Sequence, residues 1–96
     1  MNFTGKTAIS TGATSGMGLL FAENFAALGG NVVMCARSEE ALKEKVDAIN
    51  ARGKGKALGV VCDVRDYQQV CAARDKAVEA FGSIDILVNF AGGTAV

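Results

Sequence analysis

Three glycines lie within seven residues in the segment STGATSGMG, residues 10–18, and such a segment can form a turn that binds an anion. The first turn of a helix presents backbone N–H groups without intrahelical partners, and the helix dipole adds about half a positive charge there. Gly12 permits a tight turn into such a helix, and Gly18 permits the helix to pack closely against a strand. The segment predicts a diphosphate site. Its residues are Gly12, Thr14, Ser15, Gly16, Met17 and Gly18.

Two alternatives to a dinucleotide turn are open from the motif alone. A Walker loop requires Gly-Lys-Ser/Thr, whereas Gly16 is followed by Met17 and Gly18, so this alternative is disfavoured. A flexible corner between two elements would also be rich in glycine. The spacing GxxxGxG decides between them only when the neighbouring elements are known.

Those elements alternate along the whole chain. Strands are predicted at residues 6–11, 31–36, 56–64 and 84–90, because these are short apolar runs bounded by turn residues. Helices are predicted at residues 17–28, from a Ser38 N-cap to Gly53, and from an Asp66 N-cap to Gly82. Their apolar stripes are Met17, Leu20, Phe21, Phe25 and Leu28, then Leu42, Val46 and Ile49, then Val70, Ala73, Ala77, Val78 and Phe81.

Such alternation predicts an α/β fold, a Rossmann-type doubly wound parallel sheet with strand order 3-2-1-4. Right-handed crossovers then place the first two helices on one face and the third on the other. Residues 1–96 form the N-terminal part of a single domain in this prediction. The ligand crevice opens between strands 1 and 4, so the glycine segment lies where a phosphate-binding turn is needed.

Composition excludes several other classes of function. The formal net charge is zero and the basic residues are scattered, which disfavours a nucleic-acid partner. No apolar run approaches the ~20 residues needed to span a bilayer, and the N-terminus lacks a signal-peptide pattern. The three cysteines lack CxxC spacing and the sequence has no histidine, so no metal site is predicted. Reduced, buried thiols in a cytoplasmic protein are expected.

Three ordered motifs resemble those of the short-chain dehydrogenase/reductase family. Thr11–Gly18 matches TGxxxGxG, Asp63-Val64 matches an Asp-Val or Asp-Leu pair after the third strand, and residues 89–92 match NNAG with Phe90 in place of the second Asn. The resemblance covers all 96 residues. It implies that Asp63 and Val64 contact the adenine of a nicotinamide dinucleotide, and that Asn89, Ala91 and Gly92 line its ribose and nicotinamide side. A turn carboxylate is the alternative for Asp63.

The end of the second strand bears on cofactor choice. An acidic residue there would bind the adenosine 2′-OH of NAD, whereas this chain has Arg37 and Ser38. A guanidinium and a hydroxyl suit a 2′-phosphate, so NADP(H) is predicted over NAD(H). A solvated surface arginine is the alternative. NADP-preferring relatives often add a basic residue where this chain has Ser15.

The resemblance implies hydride transfer between the cofactor and a carbonyl, alcohol or activated alkene. The family's catalytic serine and Tyr-x-x-x-Lys pair lie beyond the fourth strand, and Tyr67 is followed four residues later by Cys71. No catalytic residue is therefore predicted here, and the chain is expected to be the cofactor-binding segment of a longer oxidoreductase. A small-molecule substrate is expected only for that longer protein.

Two other functions stay open from the sequence. One is a nucleotide-binding module without chemistry, and the other is an interaction fragment that uses an exposed sheet edge. In the predicted strand order the fourth strand is such an edge, and unpaired edges favour self-association. A homo-oligomer is therefore expected.

Overall fold

The computed structural model describes residues 2–14 and 16–89. Strands and helices alternate in it, and neighbouring strands are parallel in the order β3-β2-β1-β4. This confirms the predicted Rossmann-type sheet. The elements are β1 (Thr7–Thr11), α1 (Gly16–Ala27), β2 (Asn31–Ala36), α2 (Glu39–Ala51), β3 (Lys56–Val61), α3 (Tyr67–Phe81) and β4 (Ile86–Asn89).

Apolar residues bury both faces of the sheet. On one face α1 and α2 pack in a single cluster with Ala8, Val32 and Met34 of the strands. On the other face α3 packs through Ala73 and Ala77 against the opposite side of the same strands. The predicted distribution of helices, two on one face and one on the other, is confirmed. The central strands β1 and β2 are buried on both sides, as near-continuous apolar strands of parallel sheets are.

The predicted apolar stripe of α1 is wrong in part. Gly18, Ala22 and Ala26 face the sheet, together with Phe25. Met17 is 63% exposed and Leu20 is 50% exposed. Small side chains at four-residue spacing let the helix approach the sheet closely, so the larger side chains are displaced to its flank. There they line an apolar groove beside Ile86 of β4.

Local hydrogen bonds explain the ends of the elements. Ser38 and Asp66 cap α2 and α3 by accepting the N–H groups of Ala41 and Gln68, as predicted. The third strand ends at Val61, earlier than the predicted residue 64. After it, the Asp63 N–H donates to the side chain of Gln69 and no longer to a neighbouring strand. A side chain in the first turn of α3 therefore takes the backbone N–H that would otherwise extend the strand.

Asp85 attaches the edge strand to the centre of the sheet. Its carboxylate accepts the Thr7 N–H at 2.8 Å, and its own N–H donates to the Thr7 carbonyl at 2.8 Å. Thr7 is fully buried. The Asp85→Ala change leaves the Thr7 N–H without this acceptor, so we expect the free energy of unfolding to fall by about 1–3 kcal/mol. Urea denaturation measures this loss.

Asp47 provides the control for this change. It pairs with Lys43 at 3.4 Å on the exposed face of α2, so Asp47→Ala should cost at most about 0.5 kcal/mol. Equal losses in the two variants would contradict the role assigned to Asp85.

Candidate functional site

The predicted site residues lie in a row across the sheet, at the carboxyl ends of its four strands. Parallel register pairs Thr11 with Cys35 of β2 and with Asn89 of β4, and pairs Cys35 with Val60 of β3. The segments that leave the carboxyl ends of the strands therefore follow one another across the sheet. In the order β3, β2, β1 and β4 they present Asp63 and Val64, then Arg37 and Ser38, then the glycine turn, then Asn89.

The glycine turn lies at the head of α1, as predicted. Gly12 has φ 62°, a left-handed conformation that glycine adopts without steric cost, and it turns the chain out of β1. Helix α1 begins at Gly16, and both Gly16 and Met17 are exposed. Gly12 and Thr14 are half-buried, while Ala13 between them is fully buried. The Ala13 N–H donates to the Cys35 carbonyl at 3.2 Å, which ties the turn to β2.

Gly18 permits the closest approach between the helix and this turn. A Cβ built on Gly18 would lie 2.8 Å from the carbonyl carbon of Gly12, 3.0 Å from the Thr11 oxygen, and closer still to the Gly12 oxygen. Those atoms are all backbone and cannot rotate away. The buried Ser10 hydroxyl donates to the Gly18 carbonyl at 3.2 Å and fastens the helix to β1. Only glycine fits here, as the motif predicted.

Thr11 and Asn89 connect β1 and β4 at the point where the strand order reverses. The Thr11 hydroxyl donates to the Asn89 side-chain oxygen at 2.7 Å and lies 3.4 Å from the Val88 carbonyl. In open α/β sheets the ligand crevice opens at this reversal. Asn89 therefore lies at this reversal, with its side-chain oxygen bonded by Thr11. The resemblance gave Asn89 a cofactor-lining role but did not predict this contact.

Asp63 lies in a tight ion pair after β3. Its carboxylate accepts the Arg65 N–H at 3.0 Å and two guanidinium N–H groups, at 3.0 and 2.8 Å. These bonds to Arg65, with a smaller contribution from Arg37, lower the pKa of Asp63 to about 2. The carboxylate is therefore ionised at neutral pH. In the described chain Asp63 acts as a turn carboxylate, and its adenine contact stays a prediction.

Arg37 is exposed directly after β2, next to the N-cap of α2. Its charge reaches the Asp63 carboxylate, since it contributes to lowering that pKa. The Ser38 oxygen accepts the Ala41 N–H at 3.2 Å, and the hydroxyl hydrogen can still donate. A dianionic group at this position would meet a guanidinium, a hydroxyl and the positive end of a helix dipole.

Some predicted site residues lie outside the described part of the chain. They are Ser15 in the glycine turn, and Ala91 and Gly92 after β4, together with Phe90. The described site residues are Gly12, Thr14, Gly16, Met17, Gly18, Arg37, Ser38, Asp63, Val64 and Asn89. Thr14 and Val64 are half-buried, and Met17 is exposed.

Sequence reasoning missed Ser10 and Thr11 as positioning residues. Both are polar side chains at the carboxyl end of a fully buried strand, with exposures of 0% and 6%. The large majority of buried hydroxyls have a hydrogen-bond partner. Two adjacent hydroxyls before the first glycine were therefore a signal that this strand end is held by side-chain hydrogen bonds.

Two buried thiols, Cys35 and Cys62, lie beneath the β2–β3 end of the row. Burial raises the pKa of Cys35 to about 12, and the neighbouring Cys62 adds to the shift. Burial also raises the pKa of Cys62, although a hydrogen bond from Cys35 acts in the opposite direction. Both thiols are therefore protonated at neutral pH.

Alkaline pH should destabilise the fold through these thiols. In the unfolded chain a thiol has a pKa of about 8.5, so the raised value in the folded chain stabilises the fold below that pH. This stability is lost as pH rises toward the folded value, about 12 for Cys35. We expect the free energy of unfolding to fall by about 1 kcal/mol per pH unit above pH ~9. Denaturant unfolding at several pH values between about 9 and 12 measures this fall in the free energy of unfolding. An equally steep fall with pH in the Cys35→Ala variant would contradict the role of this thiol.

The described residues show neither a membrane span nor a metal cluster. None of their helices is both long and apolar enough to cross a bilayer. Across residues 2–14 and 16–89, no three His, Cys, Asp or Glu side chains are grouped so that they could hold a metal ion. Tyr67 is 77% exposed at the start of α3.

Comparisons with known proteins agree with this geometry. A family model described as "short chain dehydrogenase" matches residues 6–96. The short-chain reductase protein NovJ of Streptomyces niveus is 47% identical over 87 residues, which are 91% of this chain and 33% of that protein.

Solved structures show the same fold. L-sorbose reductase of Gluconobacter frateurii, complexed with NADPH and L-sorbose, superposes with a TM-score of 0.89 at 38% identity, over 96% of this chain and 35% of that one. A short-chain dehydrogenase/reductase of Burkholderia phymatum in complex with NAD superposes with a TM-score of 0.85 at 44% identity. The match covers 91% of this chain and 31% of that one.

The chain spans about a third of the length of these relatives. The family model covers nearly all of the chain, and the chain shares its fold with solved members of that family. The chain belongs to the short-chain dehydrogenase/reductase family.

Proposed function

We propose that this chain binds a nicotinamide dinucleotide and is the cofactor-binding segment of an NAD(P)(H)-dependent short-chain oxidoreductase. The observation that carries the proposal is the exposed start of α1 at Gly16 and Met17, which follows a turn whose Gly12 backbone packs directly on Gly18. The L-sorbose reductase complexed with NADPH and the Burkholderia phymatum protein in complex with NAD support it, because both share this fold.

In this proposal the cofactor lies along the row of strand ends. The diphosphate contacts the turn and first helical residues, Gly12, Thr14, Ser15, Gly16 and Met17, where helix N–H groups and the dipole favour an anion. Asp63 and Val64 contact the adenine. Asn89, oriented by Thr11, lies with Ala91 and Gly92 on the ribose and nicotinamide side.

The bound cofactor would supply hydride transfer to or from a carbonyl, an alcohol or an activated alkene. The residues of this chain bind the cofactor and fix its orientation across the sheet. These 96 residues contain no Tyr-x-x-x-Lys pair, so the proposed role of this segment in the chemistry is positioning. Proton transfer and a small-molecule substrate belong to a longer protein in this proposal.

We propose NADP(H) as the preferred cofactor. Arg37 and Ser38 lie together after β2, where an acidic residue would favour NAD, and Arg37 is exposed and free of any ion pair among the described residues. A guanidinium can pair with a phosphate through two N–H groups at once. The adjoining α2 N-terminus adds further stabilisation of the negative charge.

Titration with NADPH, followed by nucleotide fluorescence and by calorimetry, tests the proposal. We expect saturable binding with one nucleotide per chain, and weaker binding of NADH. A folded chain that binds neither nucleotide would overturn the proposed function. Equal affinities for the two would overturn only the NADP preference.

We propose that the chain self-associates through β4. This strand pairs with β1 on one side, and Leu87 on it is 63% exposed. Unpaired strand edges are templates for pairing with another copy. Sedimentation velocity at increasing concentration should show dimers or larger species, and Leu87→Lys should shift them toward monomer. A wild-type chain that stays monomeric across the range would contradict the expectation.

The three cysteines support a cytoplasmic location. All are free thiols in the described chain. Reducing compartments keep thiols in this state, whereas extracellular proteins usually pair theirs in disulfides. We propose the cytoplasm on this ground.

A further inference from the structure

A cavity between α3 and the sheet contains a pair of thiols that the cofactor site does not use. The cavity has a volume of about 360 Å³ and apolar walls. Cys35 and Cys62 line it from the sheet, while exposed Tyr67 and Arg74 lie at its margin on α3. Cavities of about 150 Å³ with apolar walls accommodate benzene. This one is large enough for a ligand of that size.

Cys35 and Cys62 belong to the same apolar cluster and line the same cavity. They are 1% and 2% exposed, and each thiol perturbs the pKa of the other. Cys35 lies near the end of β2, and Cys62 directly follows β3. Both thiols therefore border one cavity from neighbouring segments of the sheet.

A disulfide does not suit this pair. In the register of β2 and β3, Cys35 lies opposite Val60, so Cys62 is two residues further along the neighbouring chain segment. With strands ~4.8 Å apart and a rise of ~3.3 Å per residue, the two Cα atoms are about 8 Å apart. Disulfides require about 4.4–6.8 Å, so a bond would need backbone movement. An atom inserted between the sulfurs avoids this requirement.

The charge of the bridging group is limited by the surroundings. A soft cation such as Cu(I) held by two thiolates would leave a net negative charge in an apolar cavity, which is costly. Zinc would require further ligands, and the chain has no histidine. A trivalent arsenical with one organic substituent forms a neutral product with two thiols. Its substituent can occupy the apolar cavity.

We propose that Cys35 and Cys62 form a dithiol site for a trivalent organic arsenical, or for another neutral electrophile that bridges two thiols. With phenylarsine oxide, two As–S bonds form, and the oxygen leaves as water with the two thiol protons. Arsenic stays trivalent, so no oxidant or reductant takes part. The site is separate from the proposed cofactor function, and its test requires no cofactor.

The test adds one equivalent of phenylarsine oxide to the native 96-residue chain and measures intact mass and free thiols. We expect one adduct per chain, heavier by one phenylarsine oxide less one water, with two thiols lost. Because the second As–S bond is intramolecular, an added dithiol should displace the adduct, whereas the same concentration of a monothiol should not.

Variants identify the two sulfurs. Cys71 lies on α3 and lines the same cavity without taking part in the pair, so Cys71→Ala should keep the adduct. Cys35→Ala and Cys62→Ala should each weaken adduct formation by about tenfold or more, with circular dichroism confirming the fold. Persistence in either variant, loss in Cys71→Ala, or an adduct that forms only on the denatured wild-type chain would overturn the proposal.

Discussion

The Gly18→Ala variant should lose most of its affinity for NADPH and unfold more easily by about 1–3 kcal/mol. The added methyl group would overlap the backbone of Gly12 and Thr11, so either the turn or α1 must shift. A shift moves the N–H groups at the helix start away from the proposed diphosphate. Catalytic and binding geometry is sensitive to displacements of about 1 Å, so we expect an affinity loss of about 100-fold.

Calorimetry with NADPH and urea denaturation measure the two effects on the same samples. Gly59→Ala is the matched control, since it makes the same chemical change in β3. Its added Cβ would lie 3.2 Å from a methyl group of Val46, which can move, and its backbone is not left-handed. It should change stability by less than about 1 kcal/mol and leave affinity unchanged. A Gly18→Ala variant that behaves like Gly59→Ala would show that close approach at the turn is not needed.

The Arg37→Ala variant should bind NADPH about 10–100-fold more weakly while its affinity for NADH stays within about twofold. A hydrogen bond to a charged group contributes about 1.5–3 kcal/mol, which corresponds to this range. The 2′-phosphate is the group that distinguishes the two nucleotides, so only NADPH should respond. Raising the salt concentration should reduce the difference in NADPH affinity between wild type and variant. Arg37 is exposed, so salt screens its attraction to the 2′-phosphate.

Arg52→Ala is the control for net charge. Arg52 follows α2 at the amino-end edge of the sheet and lies 3.6 Å from Glu23, away from the row of strand ends. The Arg52→Ala change removes the same positive charge but should leave the affinities for NADPH and NADH unchanged. Equal weakening of NADPH and NADH in Arg37→Ala would mean that Arg37 contacts a part common to both, and no change at all would make it a solvated surface residue.

Much of the fold follows from local sequence. Alternating apolar runs, the caps Ser38 and Asp66 and the terminating Gly82 mark the elements, because each of these signals acts within a few residues. Handedness rules then limit the strand order. The glycine motif also identified the turn correctly, since Gly12 and Gly18 are required by a φ angle and by a backbone contact that the motif encodes.

The errors arose where packing competes with periodicity. In α1 the large apolar side chains suggested the core face, but the small residues Gly18, Ala22 and Ala26 face the sheet. A helix that approaches the sheet closely buries more apolar surface than one held away by large side chains. The face with small side chains therefore packs against the sheet. In β3 the apolar run continued past Val61, but the turn of Asp63 took over the hydrogen bonding.

The sequence alone determined the order of the elements and the place of the glycine turn at the head of α1, because these depend on near neighbours in the chain. Only the tertiary structure decided which side chains meet. Thr11 and Asn89 are 78 residues apart, and so are Thr7 and Asp85. Cys35 and Cys62 come together only because β2 and β3 are adjacent in the sheet. Such contacts depend on register and strand twist, which the whole packed domain fixes at once.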